Sequence, residues 1–291
     1  MGIPYIPNRR NMSLQAELDT LGNKIASFHE PASAQDNEWQ QFVDNTTIAL
    51  MAGGESSRFS SVLDGTQANK SAFELPNGDT MIEMCIRMYR DAGFKNFVAL
   101  VFHNANSIEG RLGDGSKLGV KISYSYDPEI PIGKGGAVLN ALENGSIPED
   151  HNLIVVNPDD VILNFPEFPR YISEAHMEGR KEGSIATAVL GLGQAYSSTG
   201  MMIVDNKVVD TKMYPFIPVP AHVGITVFSP EVYVYFRQNF SLTEKSDFEN
   251  VLFPLLAGEG KLWSAGLTKG LWIAVNDAKT YKHLCSELSQ T

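Results

Sequence analysis

The sequence predicts an α/β fold built on a mainly parallel sheet, preceded by a helical N-terminal arm. Two observations carry this. From Thr46 onward, short apolar runs alternate with segments of helical spacing, as in a sheet with crossover helices. The 291 residues are 43% hydrophobic, with 15 Phe, 10 Tyr and 3 Trp, enough apolar area to offset chain entropy around a substantial core. No internal repeat or low-complexity linker interrupts the series, so residues 46–291 read as a single domain after an arm at 1–45.

In the arm, Leu14, Leu18, Leu21, Ile25 and Phe28 recur at helical spacing after Ser13, a suitable N-cap, and Pro31 closes the segment. A second helical piece holds Trp39, Phe42 and Val43. Two roles stay open for it: a structural arm packed on the main domain, or a dimerisation or regulatory arm that would imply a homo-oligomer. The first strand is expected at residues 47–51, ending at Ala52-Gly53-Gly54. A helix follows at 81–92, a strand at 97–101, a helix at 106–112, a strand at 120–126 and a helix at 135–143. The apolar run 153–156 reads as a buried strand ending at Asn157-Pro158-Asp159-Asp160. Beyond it come a helix at 167–179, a strand at 184–190, a hairpin-like stretch at 200–211, a strand at 222–228 and a closing helix from Ala278. Such a β/α series places its ligand beyond the carboxyl ends of the strands.

With 23 Lys and Arg against 34 Asp and Glu, the net charge is −11 and no basic block is present, which argues against nucleic acid as a general partner. A small polyanion is still compatible, since a pocket can be locally basic on an acidic protein. Cys85 and Cys285, two hundred residues apart, form neither a disulfide framework nor a metal-ligand spacing. No apolar stretch approaches the roughly 18 residues of a membrane span, and no apolar run follows Arg9 and Arg10, so a soluble cytoplasmic protein is expected, with no membrane partner.

Four segments carry chemistry. The loop Ala52-Gly53-Gly54-Glu55-Ser56-Ser57-Arg58 combines glycines, which admit a ligand close to the backbone, with free amides that can form an anion-binding concavity and a guanidinium fork for phosphate. It is neither a Walker A sequence nor a dinucleotide fingerprint. Lys70, twelve residues after Arg58, reads equally as a phosphate ligand or as a snorkelling surface residue. The turn Pro131-Ile132-Gly133-Lys134-Gly135-Gly136 feeds a helix, either because the helix entry needs small residues or because backbone approaches ligand a second time. Asp159 and Asp160 end a buried strand, where a carboxylate can hold Mg²⁺ between phosphate oxygens or simply form a turn.

Taken in order, these segments resemble the sugar-1-phosphate nucleotidyltransferases. The resemblance runs from Thr47 to Leu75, through Arg111-Leu112-Gly113-Asp114-Gly115-Ser116 and the Pro-Ile-Gly-Lys-Gly-Gly turn, to Asp160. It continues in Gly224-Ile225-Thr226-Val227-Phe228, in Phe248-Glu249-Asn250 and in Gly270-Leu271-Trp272-Ile273, so that it spans about residues 46 to 285. It implies a single nucleotide-binding domain with a mostly parallel mixed sheet. The implied activity joins a sugar 1-phosphate to an NTP, with Mg²⁺ assisting and pyrophosphate released, to give an NDP-sugar. Gly53, Gly54, Ser56 and Ser57 would then embrace the nucleotide, Arg58 the leaving pyrophosphate, and Lys70 the transferred phosphate. Asp160 would bind Mg²⁺, Gly135 and Gly136 would line the nucleoside and sugar side, and Glu249 would bond sugar hydroxyls, with Gly224 in the sugar-binding strand.

Departures from the family pattern fall mainly on the sugar and metal side. Ser56 replaces the third glycine of the loop. The resulting Ser-Ser-Arg looks like the molybdopterin guanylyltransferase relatives, although those place the lysine much closer to the arginine. Asn69 stands where a proline usually precedes the lysine, and Ala274 where the family commonly has a second aspartate, for which Asn276 or Asp277 can substitute. Tyr214 occupies the expected sugar-phosphate lysine position, with Lys212 as stand-in, and His222 replaces an asparagine on the hydroxyl-binding side of the pocket, as a substrate contact or a structural residue. Asn104, Asp127 and Glu129 are candidates for base selection. The alternative to an enzyme is a non-catalytic relative that binds a nucleotide or NDP-sugar and acts through a protein partner.

Overall fold

A computed structural model describes residues 13–66 and 68–289. Helix α1 (Leu14–Ile25) and α2 (Asp36–Asp44) precede strand β1 (Thr46–Ala52). A short helix α3 (Ser60–Leu63) leads to α4 (Met81–Asp91), β2 (Asn96–Val101), α5 (Ala105–Leu112), β3 (Lys121–Tyr126) and α6 (Gly133–Glu143). Then follow β4 (Asn152–Val156), β5 (Asp160–Leu163), α7 (Phe168–Lys181), β6 (Ala186–Gly191), β7 (Gln194–Ala195), β8 (Thr199–Val204), β9 (Lys207–Met213) and β10 (Phe216–Ile217). The chain ends with β11 (Ala221–Phe228), α8 (Tyr233–Asn239), α9 (Phe248–Gly258), β12 (Leu262–Leu267), β13 (Leu271–Ala274) and α10 (Ala278–Leu288).

Seven strands form the main sheet in the order β12-β6-β11-β4-β1-β2-β3. β4, β1, β2 and β3 run parallel, as the sequence predicts, whereas β11 joins β4 antiparallel, which makes the sheet mixed as the resemblance implies. β1 is fully flanked, and its Ile48, Ala49 and Leu50 are completely buried, as a central parallel strand requires. One core cluster packs Val98, Val138, Leu142, Phe228, Phe236, Phe248 and Leu252. A second gathers Phe59, Leu63, Leu75 and Met81 against Val161, Ile273, Val275 and Leu284, fastening the chain after β1 to β5, β13 and α10.

Cα packing separates two compact units, residues 13–29, 190–222 and 266–268 in one and the rest in the other. The two helices of residues 1–45 fall in different units. In the smaller, Ser13 Oγ caps α1 by accepting the Ala16 N–H at 3.2 Å, and the Leu14 N–H donates to Asp210 Oδ2 at 2.6 Å. Gly22 is required by contact, because a Cβ there would lie 2.6 Å from the Pro218 ring. The hairpin expected at 200–211 is the antiparallel pair β8 and β9. In the larger unit, α2 carries a capping box between Gln35 and Glu38 and buries Phe42 and Val43.

Elements without a clear sequence signal are α3, β5, β7, β10, β12, β13, α8 and α9. β5 has four residues and follows a polar turn, and α9 is apolar on most sides with Pro254 inside it, so neither shows a usable period. Both cysteines are free, and burial pushes the Cys85 thiol up to about 12. No helix among the described residues is long and apolar enough to cross a membrane.

Candidate functional site

A cleft of about 570 Å³ opens at the carboxyl ends of β1, β2, β3 and β4 in the larger unit. Its walls are the loop 51–59, the turn 69–71, His103, Asp127, the entry to α6, Asn157, Asp159, Lys245, Asp247 and Asn276. The topology rule for open α/β sheets is thereby met.

Gly53, Gly54, Ser56, Ser57 and Arg58 all line this cleft. The Cβ position of Gly53 points at the Phe102 amide, 3.4 Å away, while that of Gly54 meets open space. Ser56 adopts φ +60, the left-handed region, which explains why glycine suits this position and what its replacement costs. Compensation is local, since Ser56 Oγ accepts the Lys70 N–H at 3.2 Å. Immediately beyond, Phe59 is wholly buried with its ring edge-on to Phe73 and Tyr281, which fixes the base of Arg58. The Arg58 side chain is exposed and makes no hydrogen bond or ion pair among the described residues.

Lys70 opens a 3-10 turn, Lys70–Ala72, capped by Asn69, whose Oδ1 accepts the Ser71 N–H at 2.9 Å. The Lys70 ammonium is paired with Asp159 inside the cleft, and both side chains are largely shielded. Asp159 is thus the carboxylate that lines the cleft, whereas the resemblance places the metal on Asp160. Asp160 is not among the lining residues. Its Oδ2 accepts Asn157 Nδ2 at 3.0 Å and its Oδ1 accepts Trp272 Nε1 at 2.9 Å. Burial, reinforced by the nearby Asp159 charge, pushes its carboxyl up to about 6 against the pull of those two donors. Gly224 serves this arrangement: at φ +72, a Cβ on it would stand 2.2 Å from both Asn157 Nδ2 and Asp160 Oδ2.

β5 and β13 form an antiparallel pair in which Ala274 stands directly opposite Asp160. The missing second aspartate is therefore missing from the position facing Asp160. Of the two stand-ins, Asn276 lines the cleft, whereas Asp277 is the N-cap of α10 and accepts the Thr280 N–H at 2.9 Å.

Gly135 and Gly136 do not line the cleft. The close approaches they allow are by Phe240, 2.1 Å from a Cβ on Gly135, and by Ile132, 2.8 Å from one on Gly136, so here the glycines serve helix packing. It is Gly133 and Lys134 that face the cleft. Lys134 is paired with Glu249, and its N–H donates to Asp247 Oδ1 at 2.8 Å, which ties α6 to α9. Among the base-selection candidates, Asp127 lines the cleft and accepts the Ile132 N–H at 3.1 Å, while Asn104 is the N-cap residue of α5, its Nδ2 donating to Ala68 O at 3.3 Å, and Glu129 lies outside. Lys212, exposed on β9, Tyr214, exposed at φ +50, and His222 on β11 all belong to the smaller unit.

The sequence profile of the nucleotidyl transferases matches residues 48–284. The chain belongs to the nucleotidyl transferase family. The chain is 24% identical over 220 residues to the UTP-glucose-1-phosphate uridylyltransferase of Synechocystis sp., covering 69% of this chain and 53% of that protein. It thus spans about half the length of the curated relative it matches. The fold is shared with a Bacillus anthracis protein assigned as a glucose-1-phosphate thymidylyltransferase and solved with sucrose, with a TM-score of 0.62, 14% identity, and coverage of 84% of this chain and 95% of that one.

The donor set of the cleft suits a hard cation. Asp159 and Asn276, a carboxylate and an amide, both line the cleft, and Mg²⁺ needs only one or two protein carboxylates when phosphates and waters complete its shell. Asn69, His103 and Lys245 line the cleft without having been signalled by the sequence as ligands. His103 directly follows the end of β2, which is the signal that points to it, whereas Asn69 lies beyond α3, where no strand end marks it.

Proposed function

We propose that this protein transfers a nucleotidyl group from an NTP to a sugar 1-phosphate. The observation that carries the reading is the convergence of the glycine loop, Arg58, Lys70 and Asp159 on one cleft at the strand ends. A phosphate oxygen of the sugar 1-phosphate attacks the α-phosphorus in line, forming the new P–O bond. The bond from the α-phosphorus to the bridging oxygen breaks, and pyrophosphate leaves with the electron pair. No protein nucleophile is needed, so the work of the site is alignment and charge neutralisation.

Within this reading the loop amides of residues 53–57 cradle the triphosphate, Arg58 holds the leaving pyrophosphate and Lys70 the transferred phosphate. Lys70 is held by Asp159 beforehand, so its ammonium is positioned without substrate. Asp159 and Asn276, with Asp160 behind them, would hold Mg²⁺, which supplies Lewis-acid charge neutralisation to the phosphates when bound. Gly135, Gly136 and Gly224 act through packing, and Glu249 acts through Lys134 at the α6 entry.

The test is pyrophosphate release, starting with glucose 1-phosphate and UTP or dTTP, the substrates in the relatives' names. Lys70→Ala and Arg58→Ala should each lower kcat/KM by about 100-fold or more, as loss of a charge-stabilising donor does elsewhere. A second reading is favoured by one observation, Ala274 opposite Asp160. A nucleotide that raises Tm while no NTP and sugar 1-phosphate pair turns over would establish a binding protein instead.

A further inference from the structure

Asn69 is 3% exposed, and every partner of its carboxamide lines the cleft. Its Nδ2 donates to Ala52 O at 2.7 Å, at the end of β1, with Gly54 O at 3.5 Å and His103 O at 3.4 Å also facing the two amide hydrogens. Its Oδ1 accepts the Ser71 N–H at 2.9 Å. The Asn69 N–H donates to Ser107 Oγ at 2.9 Å, and that hydroxyl in turn donates to Asn104 O at 2.7 Å. One side chain therefore bridges the loop after β1, the loop after β2 and the turn that carries Lys70. A proline in this place would have neither the amide hydrogens nor the backbone donor.

We propose that Asn69 is a positioning residue: its carboxamide sets the separation between the glycine loop and the Lys70 turn, and phosphate binding in the cleft depends on that separation. This rests on the phosphate-binding reading given above. The chemistry of the site requires donors that are fixed before the ligand arrives, because a displacement of about 1 Å can cost on the order of 100-fold in rate. An aspartate would keep the cap on Ser71 but turn an acceptor toward three carbonyl oxygens. An alanine would leave the buried Ala52 carbonyl without its side-chain donor.

The experiment measures binding of inorganic pyrophosphate to the full chain by calorimetry, for wild type, Asn69→Ala, Asn69→Asp and Ser107→Ala. Ile172→Ala, a buried position on α7 that takes part in none of these bonds, serves as a control for lost stability. Amide exchange at Lys70 and Ser71 is followed in the same samples. Both Asn69 variants should bind pyrophosphate about tenfold more weakly or worse, with faster exchange at the Lys70 amide in both and at the Ser71 amide in Asn69→Ala, which alone loses the cap, and Ser107→Ala should shift affinity and Lys70 exchange the same way by less. The control should lose Tm while keeping affinity within about twofold of wild type and exchange at those amides unchanged.

Unchanged affinity in the Asn69 variants, or an equal loss in the control, overturns the proposal. Should the Asn69 variants fail to fold, Ser107→Ala decides, and affinity and exchange at the wild-type level there overturn it. A wild-type chain that binds no pyrophosphate refutes the functional reading instead. Exchange at Lys70 and Ser71 then judges whether Asn69 sets the turn, with unchanged rates counting against it.

Discussion

Asp160 is a carboxylate kept where the fold would be more stable without its charge, and Asp160→Asn makes that measurable. Its carboxyl lies at about 6 in the folded state against an ordinary 3.8, raised chiefly by burial. Between those values the folded protein binds more protons than the unfolded chain, so stability falls as pH rises through that window. Above pH 6 the full penalty applies, and a shift of roughly two units at about 1.4 kcal/mol each is about 3 kcal/mol. Asparagine removes the penalty but keeps only one of the two accepted hydrogen bonds, since its amide would confront that of Asn157, at a cost of about 1 kcal/mol. Asp160→Asn should therefore be about 2 kcal/mol more stable than wild type at pH 7 and about 0.5 kcal/mol less stable near pH 4, where most of the penalty has gone. Urea unfolding of both proteins from pH 4 to 7.5 reads the crossing. A difference that does not change with pH, or that favours the variant more in acid, would refute the reasoning. A stability gain accompanied by loss of turnover is what a functional carboxylate predicts.

Ala274→Asp restores a carboxylate opposite Asp160 and sets two like charges across a strand pair. The loss at pH 7 should be limited to about 1–2 kcal/mol, because Asp160 can take up a proton at that pH for roughly 1.4 kcal/mol. Millimolar Mg²⁺ should raise Tm more in the variant than in wild type, and equal shifts would count against a metal position here. Ser56→Gly relieves left-handed strain but loses the bond to the Lys70 N–H, two effects of about 1 kcal/mol each, so its Tm should stay near wild type. Ser56→Ala keeps the strain and loses the bond, and should melt a few degrees lower. Equal Tm values for the two variants would show that Ser56 is unstrained.

The α/β class, the parallel run of strands and most helices are legible in the sequence because central strands such as Thr46–Ala52 are continuous apolar runs and helices such as Met81–Asp91 are amphipathic. The glycine loop of the proposed phosphate side is legible for a related reason: residues 53–58 directly follow β1, so the strand pattern locates them, whereas Lys70 lies beyond α3 and is not located that way. Long-range pairing is not legible. That Ala274 faces Asp160 follows from the β5–β13 register, and no local pattern encodes it. The choice between Asp159 and Asp160 likewise turns on which carboxylate the Lys70 ammonium and the Trp272 indole reach. The roles of Gly135 and Gly224 are set by what approaches them, Phe240 in one case and the Asn157–Asp160 pair in the other, and a glycine in a sequence does not say what lies beside it.

Attack of the sugar phosphate on the α-phosphorus can be followed with sugar 1-phosphate labelled with ¹⁸O in its phosphate oxygens, incubated with NTP and Mg²⁺ and read by ³¹P NMR. The expected result is label in the NDP-sugar, including its bridge between the two phosphorus atoms, unlabelled pyrophosphate, and neither product formed by Lys70→Ala at a comparable rate. Label in the pyrophosphate, or pyrophosphate release that does not depend on the sugar 1-phosphate, would contradict nucleotidyl transfer to a sugar phosphate in this cleft.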